Sequence, residues 1–313
     1  MSMEPTWSTR IGWLDLPVHV RTAVEDILGS EVVQFESQVG GFSPGTADRV
    51  ITSSGKRAFL KAVNRELNAS TPNLHRQEAH VSGNLPASLP IAPLLGHYDD
   101  GHWVALVLTD IEGNQPQIPW KPTEITLVLD ALEKLAYLPV PNALRELPML
   151  REDLAEAFTG WKRVRELIPE ACDPWIVERL DELESLAAQG IEELDGQALV
   201  HNDARADNIL ITAQNEAILV DWPWACIGVG WFDALSVLVN VRAFDPSFNA
   251  EAVLATHPVF AEATALQIDA VLAGLAGYFI DVARTVAPVG LPTVRAFQKQ
   301  QGDAVIKWLK ERL

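Results

Sequence analysis

Residues 201–221 read HNDARADNILITAQNEAILVD, and this stretch decides the fold. His201, Asp203 and Asn208 form the pattern H-x-D-x-x-x-x-N, a short apolar run follows, and Asp221 comes thirteen residues after Asn208. Transfer of a phosphoryl group to a hydroxyl needs a carboxylate that orients the hydroxyl and accepts its proton, and oxygen ligands that hold Mg²⁺ on the phosphates. The spacing puts Asp203 and Asn208 on one tight loop and Asp221 at the end of the next strand. We therefore predict Asp203 as the catalytic base and Asn208 and Asp221 as Mg²⁺ ligands.

A lysine and a glutamate upstream fit the same chemistry. Lys61 lies in the strand-like run at 59–63, where an ammonium group flanked by apolar neighbours can reach the α- and β-phosphates of a nucleotide. Glu78 lies in the helical pattern that follows, placed to pair with Lys61 and hold its orientation. Each residue alone is a weak signal, but their order along the chain favours a nucleotide site.

A glycine-rich segment precedes both residues. Residues 40–45 read GGFSPG and lie between two predicted strands, where small residues allow backbone N–H groups to approach a phosphate. Pro44 has no N–H group and cannot donate to a phosphate. The candidate phosphate-binding residues of this loop are therefore Gly41, Phe42, Ser43 and Gly45.

The hydrophobic pattern predicts a small sheet followed by helices. Alternating and apolar runs indicate strands at 32–39, 46–52, 57–63, 91–98 and 103–108, with one helix at 73–84. Beyond residue 110, apolar spacings of three and four indicate helices at 123–137, 150–167, 174–193 and from 232 to the end, interrupted by short strands at 198–201, 209–212 and 217–221. This order predicts an α+β protein with an N-terminal lobe at 1–108 and a larger, mainly helical C-terminal lobe at 109–313.

Composition narrows the class of protein. The 313 residues carry 24 Lys plus Arg against 42 Asp plus Glu, a formal net charge of −18, which argues against binding to a nucleic-acid backbone. Only two cysteines occur, Cys172 and Cys226, so a disulfide framework is excluded and a reducing compartment is the simpler interpretation. The N-terminus lacks the apolar core of a signal peptide, and the longest apolar run, at 270–280, is too short to span a bilayer. We expect a soluble cytoplasmic protein with no membrane or nucleic-acid partner.

Taken together, these residues resemble the aminoglycoside phosphotransferase and choline kinase group, relatives of the protein kinases, from about Val39 to at least Val239. The resemblance implies a protein-kinase-like bilobal fold, ATP or GTP as co-substrate, Mg²⁺, and transfer of the γ-phosphoryl group to a small-molecule hydroxyl. Residues 106–113, LVLTDIEG, resemble the hinge of the family, so backbone groups of Thr109 and Ile111 are expected to meet the adenine edge. Asp233, in the segment GWFDAL at 230–235, is similar to an aspartate that steadies the catalytic loop in the family.

One residue departs from the pattern of the family in an informative way. Arg205 stands two residues after Asp203, where protein kinases place a lysine that neutralises the transferring phosphoryl group. A guanidinium suits phosphate oxygens, so we predict that role for Arg205. The alternative is that Arg205 only pairs with a nearby carboxylate such as Asp207.

Several functions stay open at the level of sequence. An aminoglycoside-type antibiotic is the leading acceptor, but choline, homoserine or a sugar would use the same machinery. A nucleotide-binding pseudokinase is a further alternative, against which the complete set of Asp203, Asn208, Asp221 and Lys61 speaks. A protein kinase is disfavoured because Trp222-Pro223-Trp224 replaces the glycine after the metal aspartate and leaves no long activation segment.

Overall fold

The computed structural model describes residues 10–38, 44–168, 172–288 and 291–313. The strands within these residues are β1 Val32–Ser37, β2 Thr46–Thr52, β3 Arg57–Asn64, β4 Leu94–Asp99, β5 Trp103–Thr109, β6 Gly113–Asn114, β7 Ala198–Val200, β8 Ile209–Thr212, β9 Ala217–Leu219 and β10 Cys226–Gly228. The α-helices are α1 Val18–Leu28, α2 Thr71–Asn84, α3 Pro122–Ala136, α4 Leu150–Asp153, α5 Gly160–Glu166, α6 Pro174–Glu178, α7 Leu180–Glu193, α8 Phe232–Phe244, α9 Ala250–Thr256, α10 Ala265–Ala283 and α11 Val294–Arg312.

The chain divides into two compact units. Unit 1 holds the described residues of Met1–Gln115, Asp207–Trp224 and Pro288–Pro292, and unit 2 holds those of Pro116–Ala206, Ala225–Ala287 and Thr293–Leu313. The predicted boundary after residue 108 thus differs from this division, chiefly because the β8–β9 hairpin belongs to unit 1. The reason is hydrogen bonding, since β8 pairs with β9 on one side and with β6 on the other.

The main sheet of unit 1 is antiparallel and runs in the order β1-β2-β3-β5-β4. Its strand β5 reads WVALVLT, a continuous apolar run that packs on both faces. Trp103, Ala105 and Val107 join the core beneath α1, while Val104 and Leu106 join the core beneath α2. A strand between two helical layers needs no polar face, which explains why β5 does not alternate.

The pleat of β3 decides where its lysine points. Ala58, Leu60 and Ala62 are fully buried in the core beneath α1. Phe59 packs on the opposite side, against the core beneath α2. Because successive side chains alternate between the faces of a strand, Lys61 shares the α2 face with Phe59.

Helix α1 is an element that the sequence analysis does not predict. Val20, Val24 and Leu28 are buried at spacings of four, so α1 shows a regular helical stripe. The helix ends at Gly29, whose φ of +74° gives the left-handed C-terminal cap. Its residues follow the prolines and tryptophans of the N-terminus, and the short stripe is easily overlooked there.

Helix α10 forms the centre of unit 2 and packs against α5, α7 and α11. It is long and apolar enough to cross a membrane by length and composition, but 56% of that stretch is buried inside the protein, as in a core helix. Close approach to α5 depends on small residues, because a Cβ atom built on Gly160 would lie 2.2 Å from the carbonyl oxygen of Gly277. A single added methyl group would therefore push these two helices apart.

Two of the predicted helices are broken in the structure. The run predicted at 150–167 forms α4, a 3-10 helix at Ala157–Thr159 and α5, and the run at 174–193 forms α6 and α7. Strands β6 and β10 are also absent from the sequence prediction, because two and three residues are too short to show a period. The small antiparallel sheet in the N-terminal third and the mainly helical remainder are as predicted.

Candidate functional site

The centre of the site in unit 1 is an ion-pair cluster on three elements. The Lys61 Nζ atom lies 2.7 Å from Glu78 Oε1 and 2.9 Å from Glu78 Oε2, and also 2.7 Å from Asp221 Oδ1. Glu78 is almost fully buried, Lys61 is 16% exposed and Asp221 is 30% exposed. The predicted pair of Lys61 and Glu78 is therefore present, and Asp221 joins it after 160 residues of intervening chain.

Burial and the neighbouring charges act against each other in this cluster. Burial lowers the pKa of Lys61, but the charges of Asp221 and Glu78 outweigh burial, and the net shift of the Lys61 pKa is upward. Burial raises the pKa of Glu78, which the charge of Lys61 partly opposes. The ammonium group of Lys61 is therefore charged, and the charge of Asp221 is one of the causes.

Asn208 and Asp221 are the predicted metal ligands, and both belong to unit 1. Asn208 is 5% exposed, and its backbone carbonyl oxygen accepts a hydrogen bond of 3.0 Å from the Val220 N–H. This bond ties the start of β8 to the end of β9 and thereby brings the two residues near one another. Asp221 has a φ of +70°, a left-handed conformation that is strained for a residue with a side chain.

The donor set of this pair fits Mg²⁺. A carboxylate and an amide side chain supply oxygen ligands, and Mg²⁺ in phosphate-transfer sites is held by one or two such groups together with water and phosphate oxygens. Both residues line one cavity, in which Asp221 is partly exposed.

The cavity has a volume of about 440 Å³, and unit 1 supplies its whole lining. Lys61, Glu78, Asn208 and Asp221 belong to its polar part. Its other walls include apolar side chains, namely Ala47, Phe59, Leu108 and Trp222. Apolar walls around a few convergent polar groups are typical of a site for an organic ligand with a charged end.

The segment predicted as the hinge forms one wall of this cavity. Thr109 and Ile111 both line it. The Thr109 N–H donates to the Pro93 carbonyl oxygen over 2.8 Å, so the carbonyl group is what Thr109 can offer to a base. The Ile111 N–H takes part in no hydrogen bond among the residues that the structure describes.

Of the predicted glycine loop, Gly41, Phe42 and Ser43 lie outside the described residues. Gly45 is described and has a φ of +101°, and a Cβ atom built there would lie 2.3 Å from the Ala62 carbonyl oxygen. Only glycine fits both the conformation and the close approach to β3. Gly45 also pairs with Arg10 in an isolated parallel bridge, and its carbonyl oxygen accepts from the Ile11 N–H.

Several residues line the cavity without having been predicted, among them Arg10 and His75. Arg10 lies on the wall of the cavity. Burial lowers the pKa of its guanidinium, and the charges of Asp221 and Asp48 partly oppose this shift. His75 is buried on α2, and burial together with the charge of Lys61 lowers its pKa to about 3, so it is neutral at pH 7. The sequence offers a signal for His75, which stands three residues before Glu78 and hence on the same helix face, but none for Arg10.

Unit 2 contains the loop that carries Asp203. Asp233, at the start of α8, accepts hydrogen bonds from the His201 N–H over 2.7 Å and the Asn202 N–H over 2.9 Å. His201 Nδ1 accepts from the Asp203 N–H, which fixes the turn of the loop. Asn202 has a φ of +62°, and its Nδ2 group donates to Asp153 over 2.8 Å. Asp153, on α4, is a partner that sequence spacing does not reveal.

Arg205 is held beside Asp203. Its Nη1 atom lies 3.3 Å from Asp203 Oδ1, and its guanidinium lies over the ring of Phe297 at 5.4 Å from the ring centre. The side chains of Asp203 and Arg205 are 24% and 21% exposed. Tyr278, on α10, interacts electrostatically with this pair. Its pKa is raised by burial and, to a smaller extent, by the charge of Asp203. The site in unit 2 therefore consists of a carboxylate, a guanidinium and two aromatic side chains.

The chain resembles a known protein family and several solved structures. The model of the phosphotransferase enzyme family matches residues 40–266. No curated protein matches the chain. Among solved structures, an aminoglycoside phosphotransferase from Alicyclobacillus acidocaldarius is 15% identical with a TM-score of 0.52, over 90% of this chain and 92% of that one.

Two further solved structures resemble the chain over nearly its whole length. A thermostable mutant of aminoglycoside phosphotransferase APH(4)-Ia, in ternary complex with ADP and hygromycin B, has a TM-score of 0.59 at 14% identity, over 93% of this chain and 99% of that one. Spectinomycin phosphotransferase APH(9)-Ia, in complex with ADP and spectinomycin, has a TM-score of 0.58 at 12% identity, over 95% and 100%. These likenesses show a kinase-like α+β fold, as the sequence predicts. With its family model covering residues 40–266, the chain belongs to the phosphotransferase enzyme family.

Proposed function

We propose that the protein transfers the γ-phosphoryl group of ATP or GTP to a hydroxyl group of a small molecule, with Mg²⁺ as cofactor. The observation that carries the proposal is the cluster of Lys61, Glu78 and Asp221 in a cavity of about 440 Å³ that Asn208 also lines. A lysine fixed between two carboxylates, next to an amide and between apolar walls, suits the phosphates and the base of a nucleotide.

Each residue has a role in this proposal. Lys61 binds the α- and β-phosphates, and Glu78 fixes the orientation of its ammonium group. Gly45 and the segment 41–43 offer N–H groups to the phosphates, and Thr109 and Ile111 contact the base. Asn208 and Asp221 hold Mg²⁺, which when bound draws negative charge from the phosphate oxygens.

The catalytic loop completes the reaction. Asp203 orients the acceptor hydroxyl and accepts its proton, while the oxygen of that hydroxyl forms a bond to the γ-phosphorus and the bond to the leaving nucleoside diphosphate breaks. Arg205, 3.3 Å from Asp203, offsets the charge of the phosphoryl group in transfer. Asp233 positions the loop through its two N–H bonds.

The leading acceptor class is an aminoglycoside-type antibiotic, which would make the reaction one of antibiotic resistance. A net charge of −18 attracts polycations, and the neighbouring structures include complexes with hygromycin B and spectinomycin. We place the reaction in the cytoplasm, where ATP is abundant and where the free thiols of Cys172 and Cys226 stay reduced.

A second candidate is a metabolite kinase with an uncharged acceptor such as a sugar. The observation in its favour is the Arg205 guanidinium beside Asp203, which adds positive charge next to the group that would meet the acceptor. Phe297 and Tyr278 also give this part of unit 2 aromatic surface, which suits the faces of a sugar ring.

The test is a pooled acceptor assay read by mass spectrometry. The protein is incubated with Mg²⁺, ATP or GTP, and a panel of aminoglycosides, choline, homoserine and simple sugars. We expect one acceptor to gain the mass of a phosphoryl group. Binding of nucleotide without transfer to any acceptor would favour a pseudokinase, and absence of nucleotide binding would contradict the proposal.

The variant Asp203→Asn tests the catalytic base. Loss of a general base lowers turnover by a factor on the order of 10² to 10⁴, whereas Mg²⁺-dependent binding of nucleotide is expected to persist. The matched control is Glu216→Gln, the same type of change at an exposed turn residue between β8 and β9. Turnover of Asp203→Asn equal to that of Glu216→Gln would refute the assignment.

A further inference from the structure

The wall segment 109–113 of the unit 1 cavity is held by a pair of arginines. Asp110 is 2% exposed, and its Oδ1 atom lies 3.1 Å from Arg49 Nε. Its Oδ2 atom accepts from Arg57 over 2.7 and 3.0 Å. Arg57 also lies 3.3 Å from Glu112, whose side chain is 75% exposed. Both arginines thus fix the same buried carboxylate, from β2 and β3 respectively.

Arg49 makes one contact that Arg57 does not make. The Nη2 atom of Arg49 donates to the carbonyl oxygen of Ile111 over 3.1 Å. Arg49 lines the cavity together with Thr109 and Ile111, and its side chain is 30% exposed. The guanidinium therefore occupies one hydrogen-bonding position of the Ile111 carbonyl oxygen at the wall of the cavity.

The backbone groups left for a base form a definite pattern. Thr109 can offer its carbonyl oxygen, because its N–H is bonded to Pro93. Ile111 can offer its N–H, which has no hydrogen bond among the described residues, whereas its carbonyl oxygen already accepts from Arg49. An acceptor followed by a donor complements adenine, whose edge presents the N6 amino donor beside the N1 acceptor.

Guanine presents the opposite order, since its O6 atom accepts and its N1–H donates. A single residue whose N–H and carbonyl group both face the base would satisfy this edge. At Ile111 a guanine N1–H would have to share the carbonyl oxygen with the Arg49 guanidinium. A buried donor without a full partner is a strong source of discrimination between ligands of the same shape.

From this pattern we propose that Arg49 makes the site selective for adenine over guanine nucleotides by occupying the carbonyl group of Ile111. The inference rests on the proposed function, because it concerns the base of the nucleotide that the cavity is proposed to bind. Arg57 serves as the comparison, since it also pairs with Asp110, through two hydrogen bonds, whereas the hydrogen bond to the Ile111 carbonyl oxygen among the described residues comes from Arg49.

The experiment compares Arg49→Met with Arg57→Met. Each change keeps an unbranched apolar stem, removes the guanidinium donors and leaves Asp110 with one arginine. Calorimetry gives the dissociation constants of ADP, GDP and IDP with Mg²⁺ for both variants and the wild-type protein. IDP carries O6 and N1–H but lacks the amino group of guanine, so it isolates the contact at Ile111.

We expect the wild-type protein to bind ADP at least about tenfold more tightly than GDP or IDP, the effect of one lost buried hydrogen bond. Arg49→Met is expected to lower the ratios of the GDP and IDP dissociation constants to that of ADP about fivefold or more. Arg57→Met is expected to leave both ratios unchanged. Equal binding of the three nucleotides by the wild-type protein would overturn the inference. Unchanged ratios of the dissociation constants in Arg49→Met would also overturn it. The same decrease of these ratios in Arg57→Met would overturn it too, because it would show that Arg49 acts only by holding Asp110. If the wild-type protein binds none of the three, the proposed function fails as well.

Discussion

Glu78 is the residue whose change tests how the ammonium group of Lys61 is held. Its carboxylate is almost fully buried and faces Lys61 through both oxygens. Glu78→Gln removes the charge but keeps the shape of the side chain, so one amide oxygen can still accept from Lys61. Asp221, which is also proposed to hold Mg²⁺, would then be the remaining carboxylate beside Lys61.

We expect Glu78→Gln to raise the KM for ATP and to lower kcat/KM about tenfold to a hundredfold, because the ammonium group is no longer fixed on the phosphates. Steady-state kinetics with the acceptor found in the panel would measure this. The control is Glu66→Gln, the same chemical change at an exposed residue outside the cavity. A value of kcat/KM for Glu78→Gln within twofold of that control would show that the ion pair does not orient Lys61.

At the scale of the element, helix α8 supports the loop that carries Asp203 through its first turn. Asp233 is 2% exposed, and burial raises its pKa to about 6 although the His201 and Asn202 N–H groups oppose that shift. The ordinary pKa of the carboxyl group is 3.8, so the folded protein binds this proton more tightly than the unfolded chain does. The contribution of Asp233 to the stability of the folded protein is therefore fully present below about pH 4 and is lost as the pH rises through about 6.

Asp233→Asn removes this titration. A raised pKa of this size corresponds to about 3 kcal/mol at most, and we expect the stability of the wild-type protein relative to Asp233→Asn to fall by up to that amount between pH 4 and pH 7. Urea unfolding at a series of pH values measures the difference. The variant Asp245→Asn at the other end of α8 should show the opposite slope, because a hydrogen bond from Ser247 lowers the pKa of Asp245. Parallel pH profiles for the wild-type protein and Asp233→Asn would contradict the assignment.

How far the sequence predicts this molecule depends on how local each feature is. Asp203, Asn208 and Asp221 stand within one loop and one hairpin, so their spacing alone is enough to predict them as candidate site residues. Strand β5 is a continuous apolar run that any hydrophobicity pattern detects. The breaks within 150–167 and 174–193 are different, since apolar spacing continues through them and only packing shows where a turn replaces the helix.

Contacts between distant segments are the part that the sequence does not reveal. Arg49 and Ile111 are 62 residues apart, and an arginine on a mostly buried strand carries no local sign of its partner. The same holds for Asp153, which lies 49 residues before Asn202. Both contacts arise from tertiary packing, in which a side chain meets whatever the fold brings beside it.

At the scale of the whole molecule, the charge of −18 sets the long-range field. Such a field attracts a polycationic acceptor and repels an anionic nucleotide, and salt screens both effects. The two candidate acceptor classes therefore differ in how their KM values respond to ionic strength. This difference does not depend on knowing which side chains contact the acceptor.

If the acceptor is an aminoglycoside-type polycation, its KM should rise several-fold between about 50 mM and about 500 mM KCl, because the Debye length falls well below 10 Å over that range. The KM for ATP should stay level or fall in the same series, since the nucleotide and the protein have charges of the same sign. This opposite response serves as an internal control against a general effect of salt on the enzyme. An uncharged sugar would show no rise in its own KM. An acceptor KM that stays constant while the KM for ATP falls would therefore exclude a polycation and favour the metabolite kinase.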